Sequence, residues 1–360
     1  MKRDLLSVKK TAISFFCLFS FLFLVSCESL SFYSQAIRGQ LSILNKRENI
    51  QALIADPATD AALKQRLSSI LEIREFAETE LALPVEKNYA SYVDLQRPFV
   101  VWNVFAAPEF SMTAQDWCYP VAGCVTYRGY FSEEKALDYG ASLREKELDV
   151  YVGGVAAYST LGWFADPVLN TIINRDEHRL ASLIFHELAH QRVYIPGDTI
   201  FNESFATAVE LEGLKRWLKH VGDANEADLL IAQANLEQQY RREFVSLVQS
   251  VIPALEALYK TDLSATVKRA QKAALMETLR QDYQQVKQGW QGYNAYDDWF
   301  ADDINNAKLN TVATYFNQVP TFEALLAESA YEMEGFYDRV DALASLAPEA
   351  REQALARLTP

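Results

Sequence analysis

Apolar positions change their spacing twice along this chain. Between residues 28 and 96 they recur every three or four residues: Ile37, Leu41 and Leu44, then Leu53, Leu63, Leu67, Ile70, Leu71 and Ile73, with a break at Asp56-Pro57. That period places them on single faces of amphipathic helices. From Pro98 the period shortens. Residues 99–105, 124–127, 130–131 and 148–152 read as short strands rich in β-branched and aromatic residues, the last of them stopped by Gly153-Gly154. Beyond Arg175 the helical period returns, punctuated at Pro196-Gly197, Gly222-Asp223, Pro253, Gly289 to Gly292 and Pro320. No repeat or low-complexity linker interrupts it. A small sheet set between helical segments predicts an α+β fold that is mainly helical. The expected organisation is an N-terminal helical segment over 27–97, packed on or covering the cleft of a larger domain over 98–360.

The first 26 residues have a texture of their own. Lys2, Arg3, Lys9 and Lys10 precede an apolar run over residues 11–25. That run is shorter than the roughly 20 residues that span a bilayer, and a basic start before a short apolar core is the layout of a secretory signal, here residues 1–26. The run closes with Leu24-Val25-Ser26-Cys27, which resembles the bacterial lipobox. The resemblance implies a lipid on Cys27 and a periplasm-facing protein anchored in the cell envelope. An uncleaved helical anchor is the alternative, and it leaves the bulk of the chain on the same side. Glu28, where an aspartate would mark inner-membrane retention, favours the outer membrane.

Composition narrows the partners. Half of the 360 residues are hydrophobic, with only 13 Gly and 11 Pro, a globular profile with enough chain for a sizeable core. The net charge is −14, and the first 26 residues carry +3 of it, so the remainder carries −17. Such a surface repels phosphate backbones and excludes nucleic acid as a partner. Of the four cysteines, Cys17 leaves with the signal and Cys27 takes the lipid. Cys118 and Cys124 remain, separated by a Pro- and Gly-containing stretch. In an oxidising compartment they are expected to form a disulfide, with two buried thiols as the alternative.

Chemistry concentrates at His186-Glu187-Leu188-Ala189-His190, an H-E-x-x-H pattern. On a helix, positions i and i+4 share a face, so His186 and His190 can bind one zinc ion per chain with Glu187 beside it as general base. Leu180, Leu183, Ile184, Leu188 and Val193 supply the apolar side of that helix, and Pro196-Gly197 ends it. The plainer reading makes the two histidines a polar patch on a core helix. A third ligand has to come from another element. Glu203 and Glu210 lie two turns apart on the next helix, and the short loop favours Glu203. Glu210 then orients an imidazole from behind the ligands, or faces solvent.

The run Asn202-Glu203-x-Phe205-Ala206 resembles the ligand helix of thermolysin and of aminopeptidase N-like enzymes, where the glutamate after Asn is the third zinc ligand. More broadly, the chain resembles the bacterial family of predicted aminopeptidases, with a zincin-like metallopeptidase domain of the gluzincin type. The likeness runs through Arg97-Pro98, Trp102-Asn103-Val104, the Cys118–Cys124 segment, residues 127–131, residues 154–163, the zinc helices and Asn305-Asn306-Ala307. It implies metal-assisted hydrolysis of peptide bonds. It also implies that Gly153, Gly154 and Tyr158 lie along the bound peptide, as an edge to which the substrate adds a strand. Two departures stand out. Glu203 sits closer to His190 than the ligand glutamate does in aminopeptidase N-like enzymes. The Gly153–Tyr158 stretch also lacks their amine-binding acid, so Glu109 and Asp166 become candidates for that role.

An oxyanion donor is needed as well. Tyr315, in the stretch that follows Asn305-Asn306-Ala307, is the first choice, with Tyr158 and Tyr127 as rivals. His178 and His220 suit structural roles, His220 as a cation at a helix C-terminus. Tyr240-Arg241-Arg242 belongs to a solvated scaffold face, and Asp297-Asp298 with Asp302-Asp303 read as a turn of exposed acids. The expected function is a membrane-anchored zinc metallopeptidase, an aminopeptidase by resemblance. The competing functions are a non-catalytic zinc-binding envelope lipoprotein and a hydrolase of cell-wall peptides.

Overall fold

The helical period at the start of the chain becomes α1 (residues 31–45), α2 (Ile50–Ala55) and α3 (Ala61–Thr79). Asp60 caps α3 by accepting from the amides of Ala62 and Leu63. Leu67, Ile70, Ile73 and Phe76 of α3 are buried as their spacing requires. In α1 the outcome differs: Ile43 is buried, whereas Ile37 and Leu41 are 59% and 49% exposed. The computed structural model describes residues 31–358 apart from 120–122, 158, 161–163 and 314–317. The signal segment, Cys27, Tyr158 and Tyr315 therefore lie outside the described residues.

Two three-stranded sheets and a hairpin occur among the described residues. The first joins β1 (Glu48–Asn49), β2 (Ser91–Val93) and β8 (Val168–Leu169) in the order β1-β2-β8, with β2 and β8 parallel. These strands of two or three residues are too short to leave a period in the sequence. The second sheet has the order β6-β3-β7, formed by β6 (Arg128–Tyr130), β3 (Val101–Pro108) and β7 (Leu148–Val155), all antiparallel. The expected stop at Gly153-Gly154 is corrected: β7 runs through both glycines, which pair with Asn103 and Trp102. Glycine persists there because the Phe99 ring occupies the space a Cβ on Gly154 would need. The hairpin pairs β4 (Trp117–Tyr119) with β5 (Gly123–Val125), and Cys118 sits opposite Cys124, to which it is disulfide-bonded.

Helix α4 (Glu133–Arg144) covers the second sheet, and Trp102, Val104, Tyr130, Ala136 and Val150 form the apolar cluster between them. After α5 (Asn170–Ile173) the chain is helical: α6 (Glu177–Arg192), α7 (Thr199–Val221), α8 (Ala224–Ser250), α9 (Ile252–Tyr259), α10 (Ala265–Lys287), α11 (Asp297–Ala301), α12 (Asn306–Ala313), α13 (Val319–Glu328), α14 (Met333–Ala344) and α15 (Pro348–Leu358). The largest core draws on both sides of residue 98: Ile50, Leu67 and Ile73 join Leu180, Phe185, Phe205 and Phe336. The early helices thus supply part of the floor beneath α6 and α7. A second core, with Tyr240, Phe244, Tyr283, Trp290 and Phe300, holds α8, α10 and α11 together and takes in Leu309 and Val312 of α12. The mainly helical α+β architecture matches the expectation.

Candidate metal centre

Leu180, Ala181, Ile184, Phe185, Leu188 and Ala189 are fully buried along one side of α6. At about 100° per residue, that leaves His186, Glu187 and His190 on the side turned toward α7 and α8. The two imidazoles meet edge to face, 4.9 Å between ring centres. The helix ends at Val193, and Gly197, at φ +83°, allows the reversal that leads into α7. Asp198 caps α7 by accepting from the Phe201 amide at 3.1 Å. Asn202 then clasps the turn: its side-chain oxygen accepts from the Ile195 amide and its side-chain nitrogen donates to the Ile195 carbonyl, both at 2.8 Å. The clasp sets where α7 begins, and so brings Glu203, at the start of its second turn, up to the last turn of α6.

One Glu203 carboxylate oxygen lies 3.3 Å from His186 Nε2 and the other 3.6 Å from His190 Nε2. Ligand atoms from His186, His190 and Glu203 all fall within 4.8 Å of one another. Tetrahedral zinc with bonds of about 2.0–2.2 Å holds neighbouring ligand atoms about 3.3–3.6 Å apart. The two imidazole nitrogens and the carboxylate therefore fit such an ion. Glu210, two turns further along α7, accepts a hydrogen bond from His186 Nδ1 at 3.0 Å. Its carboxylate lies on the opposite side of the ring from Glu203, where it fixes the tautomer and aims Nε2.

The charges in the site favour a cation. Burial would lower the His186 pKa, but hydrogen bonds to Glu203 and Glu210 overcome it and raise the value to about 10. His190 is pushed down to about 4 by burial and by the charge on His186. Burial lifts Glu187 to about 7 against the pull of His186, with the carboxylates of Glu203, Asp166 and Glu210 adding to the rise. Glu203 is lowered: burial acts the other way, and its hydrogen bond to His186 prevails. The side chains together draw one positive charge into the space they share, and keep beside it a carboxyl poised near neutrality.

Other residues reach the site through the fold alone. His186, Glu187, Glu203, Glu210, His178 and Arg241 line one cavity of about 510 Å³. Glu203 and Arg241 also line a second of about 340 Å³ with Tyr296, Thr311 and Val312. The reading of Arg241 as scaffold is thereby corrected, since its charge also helps lower Glu203. His178 faces the first cavity, whereas His220 packs on Phe76 and Trp217. Tyr127 and Tyr194 each sense the Glu203 charge, which adds to the effect of burial in raising their phenols. Tyr89 is raised well above its usual value by burial, then by Glu187 and Asp166. Its backbone sits at φ +53°, a strained region for a tyrosine, held by a 2.7 Å amide bond to the Asp166 carbonyl. No motif marks Tyr89 or Tyr194 in the sequence.

Both acids expected for a substrate amine have other partners. Glu109 is bound to Arg269 through both oxygens, at 2.5 and 2.7 Å. Asp166 accepts from Thr160 Oγ1 at 2.7 Å and from the Thr160 amide at 3.0 Å. Asp297 pairs with Lys287, and Asp302 with Lys308.

A family model described as "Putative aminopeptidase" matches residues 31–355. The chain belongs to that family. The match begins in α1 and ends in α15, so it takes in the disulfide hairpin, both sheets and the His186–His190–Glu203 group. Comparisons with curated proteins and with solved structures return no match. Membership in this aminopeptidase family makes the protein a peptidase by class, acting on peptides.

Proposed function

We propose that the protein is a zinc-dependent peptidase of the cell envelope, an aminopeptidase as its family description has it. The observation that carries this reading is the convergence of His186, His190 and Glu203 within 4.8 Å beside a half-buried Glu187. Zinc bound there supplies Lewis acidity toward water and toward the scissile carbonyl. Glu187 accepts the proton of the attacking water on a carboxylate oxygen and returns it to the departing amine nitrogen. Burial raises its pKa to about 7 in the metal-free site. Glu210 holds the His186 ring. A tyrosine steadies the developing oxyanion: Tyr315 is the sequence candidate, and Tyr127 and Tyr194 lie within electrostatic reach of Glu203. Gly153 and Gly154 give the substrate backbone an edge to pair with. Tyr158 is assigned to the same stretch.

Metal content of the chain from residue 28 onward tests the site. One zinc per chain is expected in the wild type and in Glu187→Ala, with turnover abolished only in the latter. Glu203→Ala is expected to lose the metal. Wild-type protein that takes up no zinc, or full activity in Glu187→Ala, would refute the mechanism. Peptides with free and with blocked amino termini then separate aminopeptidase from endopeptidase action. Cys27 is proposed to carry the lipid. Incorporation of labelled fatty acid that disappears in Cys27→Ser supports this, and unchanged incorporation refutes it.

A further inference from the structure

Helix α1 is tied firmly to the globule along one side. Gln35 donates to the Gly129 carbonyl at 3.2 Å and accepts from the Phe131 amide at 3.1 Å. Gly39 leaves room for the Phe131 ring, which a Cβ at that position would strike. With its inner face fixed, the helix turns Tyr33, Ile37 and Leu41 outward, at 38%, 59% and 49% exposure. These residues are spaced by four and form one apolar stripe along a helix about 22 Å long.

On the flank of α1 nearer Gln35 and Gly39, a cavity of about 300 Å³ opens between α1 and the start of α4. Arg38, Lys46, Arg97 and Lys135 line it, and no acidic residue does. Arg38, Lys46 and Lys135 make no ion pair among the described residues. Residues 29–47 hold three basic residues and no acid, in a chain with 48 acidic and 34 basic residues. An outward apolar stripe with a cation, Arg38, on the adjoining flank and further cations in the cavity behind it suits a helix lying in a membrane interface. The sequence supplies the proximity. At about 3.5 Å per residue, the stretch from Cys27 to the start of α1 spans no more than about 14 Å. A lipid on Cys27 or an uncleaved apolar run would equally hold α1 at the bilayer surface.

We propose that α1 and the basic cavity form a docking surface for anionic phospholipid, with Tyr33, Ile37 and Leu41 entering the interface and Arg38, Lys46 and Lys135 receiving phosphate headgroups. This contact is independent of the lipid on Cys27 and of the metal centre. It holds the catalytic domain in one orientation on the membrane.

The chain from residue 28 onward keeps every described element and tests the surface without the anchor. It is expected to sediment with vesicles of phosphatidylethanolamine and phosphatidylglycerol, less so as salt rises, and not with phosphatidylcholine alone. Each cation near an anionic surface contributes about fivefold to partitioning, so Arg38→Gln, Lys46→Gln and Lys135→Gln combined are expected to weaken it on the order of a hundredfold. Ile37→Ser with Leu41→Ser is expected to weaken it as well, and both variants should keep wild-type circular dichroism and peptidase activity on soluble peptides. In the full-length chain held in the same vesicles, Lys46 and Lys135 should acylate more slowly with an amine reagent than in phosphatidylcholine. Equal sedimentation with both vesicle types, or triple-variant binding equal to wild type, would overturn the proposal. So would a dimer in solution dissolved by Ile37→Ser with Leu41→Ser, which would assign the stripe to a second copy of the chain.

Discussion

Asn202 spends both ends of its side-chain amide on the backbone of one residue, Ile195, seven positions earlier. The clasp closes the loop between the two helices that carry His186, His190 and Glu203. Asn202 is only 2% exposed, so these bonds are little contested by water. Replacing it with Ala takes the acceptor from the Ile195 amide and one of two donors from the Ile195 carbonyl, which keeps the Asp198 amide. The expected loss is about 2 kcal/mol of stability, read by chemical denaturation. Zinc affinity should fall with it, because Glu203 is no longer held opposite both imidazoles. Wild-type metal affinity in Asn202→Ala would show that α7 finds its start without the clasp.

Glu210 holds the His186 ring through Nδ1, at 3.0 Å. Removing such a carboxylate from behind a ligating histidine costs about 10–100-fold in metal affinity. Glu210→Ala is therefore expected to bind zinc more weakly by that factor, and Glu210→Gln, which retains an acceptor, by less. Competition with a chelator measures both. Complete loss of zinc in Glu210→Ala together with retention in Glu203→Ala would exchange the two assignments.

Gly213 lets α7 approach α6 closely. A Cβ there would stand 2.7 Å from the Phe185 ring and 2.8 Å from Leu81. Gly213→Val adds volume to a filled core, and the expected cost is about 1–3 kcal/mol. Phe185 immediately precedes His186, so the strain should also lower kcat. Unchanged melting and turnover would show that the interface yields more readily than its packing suggests.

The Glu109–Arg269 pair gives a pH signature away from the metal. Its hydrogen bond to Arg269 holds the Glu109 carboxyl below its ordinary value of 4.5, against the opposing effect of burial. A depressed carboxylate contributes stability that is present above the unfolded value and lost as pH falls through the folded one. Arg269→Met is expected to be less stable than wild type at neutral pH and equal to it in strong acid. A difference that persists in acid would assign the effect to packing of the arginine stem.

The helix that carries His186, Glu187 and His190 was legible because its pattern is local. The spacing of His186 and His190 is one helical turn, and the apolar residues between them name the buried side. The α+β class was legible for a similar reason, since α3, β3 and β7 are long enough to display their periods. The strands β1, β2 and β8 were not, because two or three residues carry no period and pairing across the fold defines them. The end of β7 was misplaced because a glycine pair weakens a strand without ending it when β3 supplies the partner.

The sequence by itself determined that His186 and His190 share one helix face and could hold a metal ion, since an i, i+4 pair on a helix needs only backbone geometry. Only the tertiary structure put the two Glu203 oxygens opposite separate imidazoles and Glu210 behind His186. It alone brought Arg241, Tyr89 and Tyr194 to the site, and it turned Ile37 and Leu41 outward. A period states that a helix has an apolar face. Which neighbour covers that face, and which distant side chain shares a cavity, depends on how the elements pack against one another.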